Sequence, residues 1–459
     1  MSSLSAARQR IQSLLDENSF VEIGAGVRGR ATEFNPEAVG TPSDGVVTGY
    51  GVIDDKLVCV YSQDVSVLHG TVGEMHARKI TEIYDFAIRM GAPVIGFIDS
   101  AGVRLQDGVD ALNGFALIYG RQAKASGVIP QITAVFGTCG GGLALAASMS
   151  DFTLMEENAH LFVSSPNTLE GNLEENNNTA SAKSRAAAGV ADFVGSEEEV
   201  IAKVRELIGL LPANNDDEAY TECTDEINRD CPGIASSQSD PELIIREAAD
   251  DGKFFEIKEA FATDLMVGFA RFGGTTTGVI GNREKKLSAG GCTKAAGFVA
   301  FCDSFGIPIV TLTNISGYAT TIREENFMGE AAARLAMAFA SATVPKINVI
   351  TEKAFGSAYA VMNPKGSGAD LTIAFPNARI GLMDANLAVH IIAPAAEGEE
   401  LEQMKQFYKD MQSSLESAAA RGLVDQVVEP AELRRYLVGA LEVLYTKREV
   451  LPARKHTGK

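Results

Sequence analysis

Between residues 46 and 163, short apolar runs alternate with amphipathic stretches, and this alternation predicts an α/β order. Residues 46–53 and 57–61 read as a hairpin turned by Asp54, Asp55 and Lys56. Residues 94–98, 132–136, 152–155 and 161–163 are brief apolar runs of the kind that buried parallel strands carry. Between them, Thr71-Val72-Gly73-Glu74 has the spacing of a capping box. It opens a predicted helix with Ile80, Ile83, Ala87 and Met90 on one face. Residues 110–125 place Leu112, Phe115, Ala116 and Tyr119 at helical spacing, and residues 142–149 form a short helix of small side chains. Strand–helix–strand order implies right-handed crossovers and parallel pairing.

The pattern then repeats. GAPVIGFIDSAG (91–102) matches GIPIVTLTNISG (306–317), and IPQITAVFGTCGGG (129–142) matches VPKINVITEKAFGS (344–357), both 215 positions on. DFTLMEENA (151–159) returns as DLTIAFPNA (370–378) after 219 positions, and LLDENSFVEI (14–23) as AADDGKFFEI (248–257) after 234. Two copies at so long a period are tandem domains and not a solenoid. The boundaries are placed at 1–225 and 226–459, with the polar stretch 212–240 read as a linker. A second polar tract, 164–184, is a solvated loop or a lid.

Composition narrows the class. With 60 Asp+Glu against 40 Lys+Arg, the chain carries a formal charge of −20, which argues against a nucleic-acid partner. Its 46% hydrophobic content is that of a globular protein. The six cysteines form no CxxC and are not grouped with the five histidines, so neither a metal site nor a disulfide framework is expected. No signal-peptide pattern and no bilayer-length apolar run stand out, so a soluble, cytoplasmic protein is expected.

Candidate chemistry concentrates in two glycine-bearing turns per copy. The first turns are 98–102 and 313–317; the second, 136–144 and 352–360, open helices. Ligands of open α/β sheets bind at C-terminal strand ends, and N–H groups converging from two turns stabilise an oxyanion. The duplication therefore points to two oxyanion holes and two ligands, against the simpler reading that these glycines serve tight packing. P-loop, dinucleotide and esterase-elbow motifs are absent. Cys139 reads as a buried small hydrophobe, and His69 and His76 as surface or helix-face residues. Asp99 and Ser100 read as turn residues serving the backbone, His160 and His390 as isolated histidines, and 397–422 as a Glu-rich, solvated helix.

At these residues the chain resembles the carboxyltransferase subunits of biotin-dependent acyl-CoA carboxylases and decarboxylases. These include propionyl-CoA carboxylase β, the acetyl-CoA carboxylase carboxyltransferase and methylmalonyl-CoA decarboxylase α. The runs that carry the resemblance include VVTGYGVIDDKLVCVYSQD, GAPVIGFIDSAGVRLQDGV and SGVIPQITAVFGTCGGGLAL in the first half. In the second they include DDGKFFEI, FVAFCDSFGIPIVTL and AFASATVPKINVITEKAFGSAYAVMNPKG. The resemblance implies an α/β tandem duplication of a crotonase-like (ββα superhelix) domain, with acyl-CoA on the first copy and biotin on the second. It also implies a dimer-based homo-oligomer such as a hexamer.

Carried over by motif, Gly141 and Gly142 offer N–H groups to the thioester oxygen, and Ser357 and Ala358 to the biotin ureido oxygen. Ala101, Gly102, Gly140, Gly317 and Gly356 belong to the binding turns, and Arg104 and Tyr359 are pocket walls. The chain departs from the family pattern at Asn314-Ile315-Ser316-Gly317-Tyr318, where relatives usually read D-x-P-G-F. It departs again at Ala360, where many carry an aspartate. No biotinylation motif and no ATP-grasp signature is visible. Carboxybiotin is thus expected on a separate biotin carboxyl carrier protein, with a biotin carboxylase or a membrane decarboxylase subunit as further partner. The implied chemistry runs through enolates held by backbone donors and requires no protein acid or base. Two other readings stay open: a crotonase-type acyl-CoA hydratase or thioesterase, and a non-catalytic scaffold with a decayed biotin site.

Overall fold

The computed structural model describes residues 4–34, 41–169 and 178–453. The chain divides into two compact units, Met1–Glu218 and Ala219–Lys459.

Unit 1 is built on strands β1 (Val21–Ile23), β2 (Val46–Ile53), β3 (Lys56–Gln63), β4 (Val94–Ser100), β5 (Gln131–Gly140), β6 (Phe152–Glu156), β7 (His160–Phe162) and β8 (Phe193–Gly195). Its helices are α1 (Ala6–Leu14), α2 (Glu74–Met90), α3 (Val109–Ala125), α4 (Gly142–Ser148), α5 (Ala182–Ala187) and α6 (Glu197–Leu210). The sheet order is β1-β2-β3-β4-β5-β6-β8, with β7 pairing the outer end of β5. β1, β2 and β3 run antiparallel, and every pairing from β3 onward is parallel. The continuous apolar run of β4 follows from cover on both faces. Its Val94 and Ile98 join one core with Ile80, Ile83, Tyr84 and Ala87 of α2 and Phe115 and Ile118 of α3.

Unit 2 contains β9 (Phe254–Ile257), β10 (Leu265–Phe272), β11 (Thr275–Asn282), β12 (Lys286–Leu287), β13 (Ile309–Ile315), β14 (Gly317–Tyr318), β15 (Lys346–Phe355), β16 (Leu371–Ala374), β17 (Arg379–Gly381) and β18 (Gln426–Val427). Its helices are α7 (Gly233–Ser236), α8 (Pro241–Ala248), α9 (Ala289–Ser304), α10 (Ile322–Ser341), α11 (Gly356–Ala360), α12 (Ala385–Ile392), α13 (Gly398–Tyr408), α14 (Leu415–Ala420) and α15 (Leu433–Leu444). The main sheet order, β9-β10-β11-β13-β15-β16-β18 with β17 on β15, repeats that of unit 1. Register repeats as well: Ile309 pairs with Lys346 as Val94 pairs with Gln131.

The repeat extends to buried charge. Lys79 and Lys294 occupy matching helix positions, and both are buried. Lys79 Nζ donates to the carbonyls of Ser43 and Val46 and to Ser43 Oγ; Lys294 Nζ donates to the carbonyls of Lys258, Phe261 and Leu265. Three acceptors saturate an ammonium group, the condition for burying one. Burial still pushes both down to about 8.

Several sequence expectations are corrected. No capping box forms at Thr71: its hydroxyl donates to Leu68 O, and the first N–H of α2, on Glu74, is taken by the carboxylate of Asp107. Met90 and Leu112 stand 50% and 65% exposed, off the buried faces of α2 and α3. The stretch read as a linker does contain the division at Glu218/Ala219, and it is hydrogen-bonded along its length: Asn214 donates to Gly91 O, Asn215 N to Val128 O, Thr221 N to Gly274 O, and Cys231 N to Ala431 O. The Glu-rich helix is interrupted by a π-turn at Lys409–Ser413, and α13 buries none of its residues. Of the polar tract 164–184, residues 170–177 lie outside the described residues.

One duplicated position has diverged. Asp151 and Asp370 each accept the N–H that starts the neighbouring long strand, on Gln131 and Lys346, both at 2.8 Å. Asp370 also meets Lys447 at 2.9 Å. Asp151 has no cationic partner among the described residues, and desolvation, with Asp192 nearby, pushes its carboxyl up to about 7. The native state therefore keeps a proton that the unfolded chain releases above about pH 4. Stability contributed here is fully present below that pH and falls as pH rises towards 7. Asp151→Asn is expected to gain stability over the parent at pH 8 and much less at pH 4.5, measured by urea unfolding. An equal effect at both pH values would contradict this.

Candidate active site

The first turn of unit 1 rests on a buried polar chain. Asp44 and Arg104, 0% and 2% exposed, form an ion pair at 2.5 Å. Burial pushes the Asp44 carboxyl up, and the Arg104 guanidinium pulls against it. Arg104 also donates to the carbonyls of Thr71 and Asp44. His76 places Nδ1 2.9 Å from Asp44 O and Nε2 3.1 Å from Gln63 Nε2. The amide must donate, so Nε2 accepts and Nδ1–H donates. Desolvation holds the imidazole neutral, down to about 3. Gln63 Oε1 in turn accepts the Asp99 N–H at 3.2 Å.

These links fix residues 99–104 from beneath. His76 is therefore on the buried face of α2, which bears out the helix-face reading and sets aside the surface one. The Arg104 side chain is turned inward, engaged with protein groups. The turn's own donors are also engaged: Ala101 N–H donates to His69 O at 3.0 Å, and Gly102 N–H to Ser100 Oγ at 3.1 Å.

The second turn ends β5. Gly141 has φ +61° and ψ −124°, a conformation open only to glycine. It breaks the strand and starts α4. Its N–H donates to Phe162 O on β7 at 2.9 Å. The Gly142 N–H, by contrast, has no acceptor among the described residues. The Gly142 carbonyl is held by the Tyr119 hydroxyl at 2.7 Å. A Cβ at Gly142 would lie 2.9 Å from that hydroxyl and 3.0 Å from the Phe115 ring. Gly102 and Gly140 are brought together: a Cβ on Gly102 would sit 3.7 Å from Gly140 O. Cys139 is buried, and desolvation pushes its thiol up to about 12, so it packs as a hydrophobe.

Unit 2 repeats the arrangement with different side chains. Gly356, φ +66°, breaks β15 and opens α11. The N–H groups of Ser357 and Ala358 have no acceptor among the described residues. The Ser357 carbonyl is held by the Tyr318 hydroxyl at 3.0 Å. This bond brings the first turn of unit 2, with Gly317 in β14, onto α11. Asn282 takes the place of Gln63, with Oδ1 accepting the Asn314 N–H at 2.8 Å. Ser357 and Ala360 are exposed, Ala358 is buried, and Tyr359 packs half-buried against the small core around Ile350 and Ala354.

Sequence reasoning missed the two tyrosine clamps and the two amide clamps. Gln63 and Asn282 did carry a signal, being amides 219 positions apart at matching strand ends. Tyr119 and Tyr318 carried none, because they reach equivalent carbonyls from different elements.

Two sheets of one topology, each ending its long parallel strand in a glycine-broken helix start, define a tandem crotonase-type protein. The profile of the carboxyl transferase domain matches residues 4–458, and the chain belongs to that family. It is 38% identical over 487 residues to the propionyl-CoA carboxylase beta chain of Saccharopolyspora erythraea, covering 98% of this chain and 89% of that one. It is 36% identical over 471 residues to the methylmalonyl-CoA decarboxylase subunit alpha of Veillonella parvula, covering 98% and 92%. Among solved structures it is similar to the transcarboxylase 12S hexamer crystallised with methylmalonyl-CoA and methylmalonic acid bound. The TM-score there is 0.95 at 33% identity, over 98% of this chain and 92% of that one. Among the described residues no helix is long and apolar enough to cross a membrane.

Removing the amide clamp tests the first turn. Gln63→Leu leaves the Asp99 N–H and His76 Nε2 buried without partners and is expected to cost about 1–3 kcal/mol of unfolding free energy. Denaturant unfolding at pH 7 reads it, and unchanged stability would show that the clamp does not bear on the turn.

Proposed function

We propose that this carboxyltransferase moves a carboxyl group between carboxybiotin, borne on a separate biotin carrier protein, and an acyl-CoA such as acetyl-, propionyl- or methylmalonyl-CoA. Unit 1 holds the acyl-CoA and unit 2 the biotin. The observation that carries this reading is the pair of equivalent helix starts, with uncommitted N–H groups on Gly142 and on Ser357 and Ala358. Each start is braced by a tyrosine hydroxyl on the carbonyl of its leading residue.

Carboxybiotin supplies the carboxyl group and, once that group is given up, a basic site for the substrate's α-proton. The chain's own residues bind and polarise. Gly142 N–H donates to the thioester oxygen, where negative charge grows as the α-proton leaves, and an aimed donor is worth most there. The Ser357 and Ala358 N–H groups donate to the ureido oxygen in the same sense. Gly102 and Gly140 let backbone approach the acyl group closely, and Gly317 and Gly356 do so on the biotin side. Arg104 acts from below, by fixing the first turn, and Tyr359 walls the second. The buried side chains beneath the first turn offer no base: His76 has both ring nitrogens engaged, and Asp44 both carboxylate oxygens. This supports a mechanism whose proton acceptor is brought by the second substrate.

A biotin carboxylase or a membrane decarboxylase subunit completes the system. Assembly with further copies of the chain is supported by the apolar side chains left exposed on α12, namely Leu387, Ile391 and Ile392.

Decarboxylation of methylmalonyl-CoA, with and without free biotin, tests the reaction: turnover is expected to rise with biotin. Binding of the CoA ester with turnover indifferent to biotin would contradict the reading. The donor is tested by two substitutions that share a Cβ. Gly142→Pro removes the N–H and is expected to lower turnover about 10²–10³-fold, while Gly142→Ala retains the N–H and loses far less. Equal losses in both variants would assign the effect to crowding against Tyr119 and Phe115.

A further inference from the structure

Unit 2 carries a cleft of about 720 Å³ between the segment leading into α8 and the ends of β15 and β17. Its polar lining sorts into two groups. The acids are largely engaged. Asp240 caps α8 through one carboxylate oxygen, which accepts both the Glu242 and the Leu243 N–H groups. Glu352 accepts from Ser239 on one oxygen and from Lys285 and Asn314 on the other. Ser236 and Gln238 donate to the carbonyls of Gly233 and Ala235, and four other donors are not spent. Lys353 and Arg379 have no carboxylate within ion-pair distance among the described residues. The Ser237 hydroxyl and the Asn377 amide make no side-chain hydrogen bond there either.

Lys353 and Arg379 also stand directly opposite each other in the parallel β15–β17 ladder. Like charges at opposed positions of a sheet repel, an arrangement that costs stability unless an anion lies between them.

We infer that this cleft is a binding site for a phosphate-class oxyanion, held by the Lys353 ammonium and the Arg379 guanidinium with Ser237 and Asn377 as neutral donors. Guanidinium geometry matches two oxygens of a tetrahedral oxyanion, and the ammonium adds a second charge-assisted bond. The site is built from unit 2 alone. Lys353 lies in the 352–360 turn, but none of the residues assigned to carboxyl transfer is used; the inorganic-phosphate arm therefore stands or falls separately from that reading, and only the CoA arm rests on it. The same chemistry is available from free inorganic phosphate and from the 3′-phosphate of CoA.

The test uses the full-length protein at constant ionic strength. Inorganic phosphate, titrated against chloride, is expected to raise Tm saturably, because a ligand of the native state stabilises it. Arg379→Glu, an exposed position that leaves the fold intact, and Lys353→Gln are each expected to weaken phosphate at least about tenfold. CoA and dephospho-CoA, compared by calorimetry, identify the source. A 3′-phosphate in the cleft makes Arg379→Glu weaken CoA and spare dephospho-CoA; free phosphate as the ligand leaves the affinity for both unchanged. The proposal is overturned if neither phosphate nor CoA distinguishes the parent from the two variants.

Discussion

What makes each unit more than a mixed sheet depends on a backbone conformation at one position, Gly141 in unit 1 and Gly356 in unit 2. Gly141 and Gly356 take positive φ at the ends of the longest strands, where a side chain would be strained. Each stops a strand that hydrogen bonding would otherwise prolong and turns the chain at once into a helix. A helix start has N–H groups with no acceptor in the helix itself, so the break is what creates uncommitted donors at a strand end. The rest of each unit holds that break in place. β7 supplies the Phe162 carbonyl that engages the Gly141 N–H. Tyr119 and Tyr318 fix the carbonyls of the residues that follow.

Duplication preserved this backbone device and let the side chains beneath it drift. Where unit 1 has Asp99 clamped by Gln63, unit 2 has Asn314 clamped by Asn282. The Asp44–Arg104 ion pair supports only the first turn, because the position matching Arg104 is Ala319, whose N–H donates to Leu287 O as that of Arg104 does to Val72 O. Under the proposed function the donors are backbone groups, which tolerate such drift, since a substitution leaves the N–H where it was; Ser357 then stands in unit 2 where Gly142 stands in unit 1.

What could be read from sequence follows the same division. Apolar runs at fixed offsets gave the strands and their parallel order, because buried strands leave an unbroken hydrophobic signal. The glycine turns were legible for the same reason that they matter: few residues tolerate the backbone they need. Contacts distant in sequence were not legible. Thr71 and Glu74 have capping-box spacing, yet Asp107, thirty-three residues on, takes the N–H of Glu74. His76 lies at a helix position that periodicity leaves open, and its burial is set by Asp44 and Gln63 from two other elements. Gly141 and Gly142 were equivalent donors in sequence, and the β7 carbonyl separates them.

The central claim is that two equivalent helix starts serve different ligands, and Ser357→Pro tests it most directly. Proline removes one N–H from α11 and leaves unit 1 untouched; Ser357→Ala controls for the hydroxyl. The account predicts that Ser357→Pro raises the KM for free biotin in methylmalonyl-CoA decarboxylation at least about tenfold, in keeping with a lost oxyanion donor. Affinity for the CoA ester should stay at the parent value. Lost affinity for the CoA ester with an unchanged response to biotin would contradict the assignment of the two units.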